Sequence, residues 1–331
     1  ATRNGLHVYN GISLRSFFNR LNDSTSLSSS HVYDVLVDSQ ARVWAATSKG
    51  LNLYLGPQKG FRWFLREDLT CSNCLVSNET LCLHEDHRGN IWIGTVGGLN
   101  EYHPSSDSMY TYTEQSGLPN NLIYSILEDD SGNLWISSNK GLTRLDISSE
   151  EMFNYSIYDG LQNYEFNHLA AFKADDGEMF FGGISGLNAF YPDSIEQSSF
   201  IPNIVITSAE VITNKSKYTR HLLGTDTVRL PFPNNLVTIE FVSLDMVAPH
   251  KTNYAYQLQG AENEWVDVGT RRYATFSNLS PGKYVFNVRG SNNDRVWSKN
   301  PERLTIIVET PVWRTRWALL VYGILGVSMI F

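Results

Sequence analysis

The sequence predicts an all-β chain: a partial β-propeller of about four and a half repeats, then an immunoglobulin- or fibronectin-like β-sandwich, then the start of a transmembrane helix. Three observations lead there: an internal repeat, a region of short alternating segments that lacks the repeat, and a closing apolar run. Its 331 residues are enough for two domains with cores of their own, and 17 Tyr and 16 Phe favour pleated surfaces over helices.

The repeat shows when segments are laid side by side. VYDVLVDSQARVWAATSKGLNLY begins at Val32, TLCLHEDHRGNIWIGTVGGLNEY at Thr80, IYSILEDDSGNLWISSNKGLTRL at Ile123, and a weaker AAFKADDGEMFFGGISGLNAF at Ala170. Gly5, Gly50, Gly98, Gly141 and Gly186 recur every 43 to 48 residues, a spacing suited to propeller blades. Within a unit, a short alternating strand meets an Asp/Gly/Asn turn, a second strand, a Gly-Leu turn and a third strand, with a looser fourth. Trp44, Trp92, Trp135 and Phe180 share one position in the second strand, where a flat ring fills the space between neighbouring blades, so they are expected as repeat core. The paired carboxylates Glu85-Asp86, Glu128-Asp129-Asp130 and Asp175-Asp176 fall at the hairpin turns and read as solvated turn residues.

After Tyr191-Pro192-Asp193 the repeat stops. Segments such as IVITSAEVI, LVTIEFVSLDM, YAYQLQG and KYVFNVRG then alternate with polar turns, which predicts a two-sheet sandwich. The expected domains are therefore blades over 1–195, a linker over 196–201, the sandwich over 202–311, and a juxtamembrane segment with a truncated transmembrane helix over 312–331. In that last segment, Trp317 to Phe331 carries no charge; Trp313 and Trp317 would lie at the membrane interface beside Arg314 and Arg316.

Composition narrows the function. A formal net charge of -8 and the lack of a basic cluster argue against direct nucleic-acid contact. Cys71 and Cys74 could form a disulfide in an oxidising compartment. Read as half a zinc site, Cys-Ser-Asn-Cys lacks a second pair of ligands, so no metal is assigned. There is no G-x-S-x-G elbow, H-E-x-x-H, P-loop or dinucleotide fingerprint, and no residue is assigned to catalysis or to a cofactor.

The units D-x-x-G-N-L-W-I-S-S-x-x-G-L resemble the propeller repeats of two-component regulators, above all the hybrid two-component sensors of gut Bacteroidetes. Tyr254-Ala-Tyr256-Gln-Leu-x-Gly260 with Trp265, and Asn278-Leu-Ser-Pro-Gly282-Lys-Tyr284-Val-Phe286, resemble the triple-tyrosine domain that follows those propellers. The resemblance implies a non-enzymatic sensor region of a membrane histidine kinase, on the periplasmic side of the inner membrane and anchored by the helix. It would detect oligosaccharide breakdown products and transmit through the sandwich, paired there as a homodimer, with further N-terminal blades of the same protein as neighbours. Two other readings are a membrane-tethered propeller scaffold without signalling and a fragment of a glycan-active propeller enzyme. The loops entering the inner strands, Ser28 to His31, Ser77 to Glu79, Pro119 to Asn121 and Asn163 to His168, are expected to converge at one end. His31, Asn121, Tyr164 and Asn167 are the candidate ligand contacts.

Overall fold

The computed structural model describes residues 2–66, 73–195, 203–213, 216–233, 236–244, 252–292, 296–311 and 318. The chain divides into two compact units, Ala1–Glu196 and Gln197–Phe331.

The first unit holds five antiparallel sheets in series. They are β1 (Leu6–Tyr9) and β2 (Leu14–Phe17); β3 (Val32–Val37), β4 (Val43–Thr47), β5 (Gly50–Tyr54) and β6 (Phe61–Phe64); β7 (Thr80–Glu85), β8 (Ile91–Thr95), β9 (Leu99–His103) and β10 (Ser108–Tyr112); β11 (Ile123–Glu128), β12 (Asn133–Ser138), β13 (Gly141–Asp146) and β14 (Glu151–Tyr155); and β15 (Phe166–Lys173), β16 (Met179–Gly183) and β17 (Gly186–Phe190). First strands lie side by side, β3 against β7, β7 against β11 and β11 against β15.

Trp44, Trp92 and Trp135 are fully buried. Trp44 meets Tyr102 of the next sheet at 5.6 Å and Trp135 meets Phe190 of the next at 4.8 Å, so each ring closes the seam between neighbours. Phe180, in the same register, is only half-buried, because no described sheet follows its own. The outer faces of the terminal sheets stay exposed, with Tyr9 and Leu14 on one and Phe172 and Leu187 on the other. The described sheets thus form an open series and close no propeller.

The turn acids correct the expectation of solvated side chains. Asp38, Asp86 and Asp129 are buried and accept the indole N–H of Trp44, Trp92 and Trp135 at 2.8, 2.8 and 2.9 Å. Their second oxygens accept turn N–H groups, as Asp86 does from Arg88 and Asn90 at 2.9 Å each. Burial pushes the Asp38 carboxyl up, but hydrogen bonds from Trp44 and Arg42 outweigh it and leave it below the ordinary carboxylate value. Asp130, Asp175 and Asp176 are exposed, as expected.

The preceding acids tie sheet to sheet. Glu85 accepts from Ser39 N and Oγ at 2.6 Å, and Glu128 accepts from the backbone N and ring of His87 and lies 3.5 Å from His84 Nε2. Burial raises the Glu128 carboxyl, yet the hydrogen bonds from His84 and His87 prevail and lower it from 4.5 to about 2. Since the folded value is the lower one, this stabilisation is fully present above about pH 4.5 and is lost as the pH falls toward 2. Glu128→Gln is expected to lower the urea midpoint at pH 7, and the gap to the unchanged chain to narrow between about pH 4.5 and 2.5. A gap that stays constant across that range rejects the ionic account.

The second unit is a sandwich of β18 (Ile204–Ile212), β19 (Lys217–His221), β20 (Thr227–Leu230), β21 (Leu236–Ser243), β22 (Tyr254–Gln259), β23 (Glu262–Gly269), β24 (Tyr273–Ser277), β25 (Gly282–Gly290) and β26 (Glu302–Val308). One sheet runs β19-β18-β21-β24 and the other β20-β26-β25-β22-β23. The alternation read from IVITSAEVI and LVTIEFVS places Ile204, Ile206, Val211, Val237, Ile239 and Phe241 in the core. Tyr254 is fully buried with its hydroxyl accepting Ser243 N at 3.0 Å, and Tyr284 donates to Ser280 O at 2.9 Å. These polar tips explain why tyrosine serves at core positions here.

The expected membrane helix is corrected. Among the described residues no helix is long and apolar enough to cross a membrane, and residues 312–317 and 319–331, with Trp313 and Trp317, lie outside them. The expected anchoring in the inner membrane has no helix behind it among the described residues. Cys74 is disulfide-bonded, Cys82 is a buried free thiol, and Cys71 lies outside the described residues.

Candidate ligand-binding site

The loops that enter the first strands are held by a repeated asparagine two residues after the repeat glycine. Asn52, Asn100 and Asn188 accept the backbone N–H of Ser28, Val76 and Gln162 at 2.8, 2.9 and 2.9 Å. Asn52 and Asn100 are fully buried, so each amide fixes a loop from beneath. Past these loops the ladder slips at matching places: between Val32 and Asp34, Thr80 and Cys82, Ile123 and Ser125, and Phe166 and Ala171. A bulge re-aims the residue it contains. Tyr33, Leu81, Tyr124 and the stretch 167–170 occupy these slips.

Three sheets meet there. Tyr33 stacks on His31 at 4.4 Å and 29°, and the His168 ring stands edge-on to Tyr33 at 5.5 Å. Tyr33 donates its hydroxyl to Glu79 Oε1 at 2.7 Å. That hydrogen bond, with burial, raises the Tyr33 phenol above its ordinary value and keeps it a donor. His168 Nε2 lies 2.8 Å from Leu81 O. A carbonyl only accepts, so Nε2 carries the proton and a neutral ring leaves Nδ1 as an acceptor. Nearby, Asp34 accepts from Leu83 N and Val35 N at 2.8 Å each, and burial still pushes its carboxyl up. The cluster offers a stacked aromatic edge, a fixed carboxylate and imidazole hydrogen-bonding groups, the fittings of a polar, ring-shaped ligand.

Of the residues expected from sequence, His31 is in this cluster. Asn121 accepts Glu114 N at 2.8 Å and so supports the turn Glu114–Ser116. Tyr164 offers its carbonyl to Gly141 N at 2.7 Å, and its phenol is raised by burial and by Tyr158. Asn167 is exposed beside His168. Tyr33 had no sequence signal, since it sits inside a strand pattern and is turned out only by the slip. Glu79 and His168 end loops that were expected to converge, but nothing in their sequence context singled them out. Among the described residues no group of three or more His, Cys, Asp or Glu side chains is placed to hold a metal ion.

Comparison with known proteins adds independent findings. The family described as Two component regulator propeller matches residues 74–97 and 117–140, and the Y_Y_Y domain matches 245–309. Histidine kinase P4 of Formosa agariphila is 28% identical over 314 residues, covering 92% of this chain and 23% of the relative. An extracellular domain assigned to the hybrid two component system BT3049 of B. thetaiotaomicron superposes with a TM-score of 0.74 at 26% identity, covering 93% of this chain and 42% of that one. The chain therefore spans less than half the length of either. Over nearly all of its length, then, the chain is similar to an extracellular domain of a two component system.

Proposed function

We propose that this chain, an extracytoplasmic sensor region related to the two-component regulator propeller and Y_Y_Y domain proteins of Bacteroidetes, detects oligosaccharide breakdown products at the His31, Tyr33, Glu79 and His168 cluster. The convergence of these side chains from three sheets carries the reading: a ligand touching all of them favours one arrangement of the sheets over others, and that preference is the signal. In the longer protein the change passes through the sandwich to a histidine kinase. The sandwich pairs as a homodimer, for which Trp265 and Tyr273 supply exposed aromatic surface, whereas Tyr254 is committed to the core. The exposed faces of the first and last sheets receive further sheets of the same longer protein.

Calorimetry with a panel of oligosaccharides tests the site, and light scattering with and without the bound sugar tests the pairing. Tyr33→Phe and His168→Ala should each weaken binding about tenfold, as loss of one hydrogen bond to a polar ligand does. Unchanged affinity in both variants rejects this cluster, and a chain monomeric in both conditions rejects the sandwich dimer.

A further inference from the structure

A cavity of about 220 Å³ lies between the first two sheets of the series, lined by none of the residues of the cluster above. Its wall is aromatic. Phe17 stands edge-on to Tyr54 at 5.2 Å and to Phe61 at 5.4 Å, with Phe61 buried at the floor. The lip is the turn from Gly56 to Gly60, closed by Gly60 N on Gly56 O at 2.9 Å and tied to the incoming segment by Phe61 N on Thr25 O at 2.8 Å. Gly60 is required there, since its φ is +68° and a Cβ would stand 2.1 Å from Thr25 O. The lip of the cleft is thus fixed by backbone.

Arg15 and Arg20 line this cleft. Arginines of the adjoining sheet have carboxylate partners, Arg42 with Asp38 and Arg62 with Asp107. Among the described residues Arg15 and Arg20 form no ion pair. Arg15 lies over the Phe17 ring at 5.2 Å, which holds its guanidinium at the aromatic wall. Asp23, the acid in the lining, accepts both the N–H and the hydroxyl of Thr25 at 3.0 and 2.7 Å, and these bonds, with the nearby charge of Arg20, hold its carboxyl below the ordinary value, so the cleft sets two guanidinium charges against one carboxylate. In a chain of net charge -8, two arginines without ion pairs beside one aromatic cleft mark a place for an anion carried on a ring.

We propose that this cleft binds a hexuronic acid residue of an oligosaccharide, the pyranose ring against Phe17 and Tyr54 and the carboxylate taken by Arg15 and Arg20. The planar guanidinium forks suit a carboxylate, which accepts two parallel N–H bonds. That the ligand is a saccharide rests on the function proposed above; that it is anionic rests on the arginines alone.

The test is calorimetry on the whole chain with a hexuronate tetrasaccharide, its carboxyl-reduced counterpart and inorganic sulfate. The uronate should bind at least about tenfold more tightly than the reduced sugar, and sulfate should not displace it at equal concentration. The double variant Arg15→Ala/Arg20→Ala should lose at least about tenfold, and Arg15→Lys/Arg20→Lys should recover only part, since charge is kept and the fork is not. Arg303→Ala, at an exposed arginine of the second unit, should leave uronate affinity unchanged. Equal binding of the reduced sugar, or loss through Tyr33 and His168 instead of the arginines, overturns the cleft while leaving the first site in place. Absence of any saccharide binding overturns both. Thermal melts of each variant confirm folding, which substitution of exposed side chains should not disturb.

Discussion

Asp86→Ala is expected to destabilise the first unit by about 2–4 kcal/mol, well above the usual cost of a single substitution. Asp86 is 3% exposed and Trp92 fully buried, so the indole N–H loses its acceptor at a place water does not reach. The N–H groups of Arg88 and Asn90 lose theirs as well, but that turn is only half-buried and water reaches part of it. Most of the cost therefore falls on the indole. The fourth repeat supplies a control within the chain. There Ala174 and Phe180 stand at the positions of the Asp and the Trp, and the turn keeps the same backbone bonds, Ala174 N to Glu178 O at 2.8 Å and Gly177 N to Ala174 O at 3.0 Å. The turn does not need the carboxylate; the tryptophan does. Trp92→Phe alone leaves Asp86 Oδ2 with only the longer bond from Asn90 Nδ2, at 3.2 Å, and should cost about 1–3 kcal/mol. The double variant Asp86→Ala/Trp92→Phe should then cost less than the sum by about 1.5 kcal/mol or more. Urea unfolding of the four proteins, following the transition of the first unit, measures the coupling. Strict additivity would falsify the indole clamp as the reason for the acid.

That clamp also shows what the sequence made legible and what it hid. The repeat, its core tryptophans and the sandwich alternation could be read because each rests on local periodicity: two for a strand, the mid-forties for a unit. The acid and the tryptophan stand six residues apart across a turn, and no periodicity announces that one reaches back under the other. Asp86 consequently looked like any polar turn residue. Glu128 looked the same for a different reason, since its partners His84 and His87 belong to the preceding unit, 41 to 44 positions away.

The candidate cluster was half legible on the same grounds. His31 sits in a loop whose convergence follows from the repeat, whereas Tyr33 depends on a slipped register that alternation cannot show. Asn121 and Tyr164 were chosen by residue type; Asn121 Oδ1 accepts from the turn at Glu114, and the Tyr164 carbonyl accepts from Gly141 N. Phe180 followed its repeat position faithfully in register, but a seam residue is buried only when a neighbour covers it. The apolar run after Trp317 was read by composition alone, which sets no helix length among the described residues.

The repeat glycine gives the last expectation, because its two requirements separate within one chain. Gly141 has φ +107°, and a Cβ there would stand 2.1 Å from Tyr155 O, on the fourth strand of its sheet. Gly186 has φ +140° in the same repeat position, but its sheet has three strands and a Cβ would meet nothing within 4 Å. Gly186→Ala therefore isolates the backbone cost of holding an L-residue in that region, about 1–2 kcal/mol. Gly141→Ala adds the displacement of β14 from β13, where Leu142 pairs with Tyr155, and should cost about 3–5 kcal/mol in all. The loss should extend beyond the turn. Gly141 N donates to Tyr164 O at 2.7 Å, so moving this backbone loosens the loop that leads into Phe166 and His168. Hydrogen exchange should accordingly show faster exchange through β14 and 161–168 in Gly141→Ala, and confined to the β16 to β17 turn in Gly186→Ala. Equal destabilisation by the two substitutions would mean that the positive φ alone explains the repeat glycine, and that the fourth strand plays no part in selecting it.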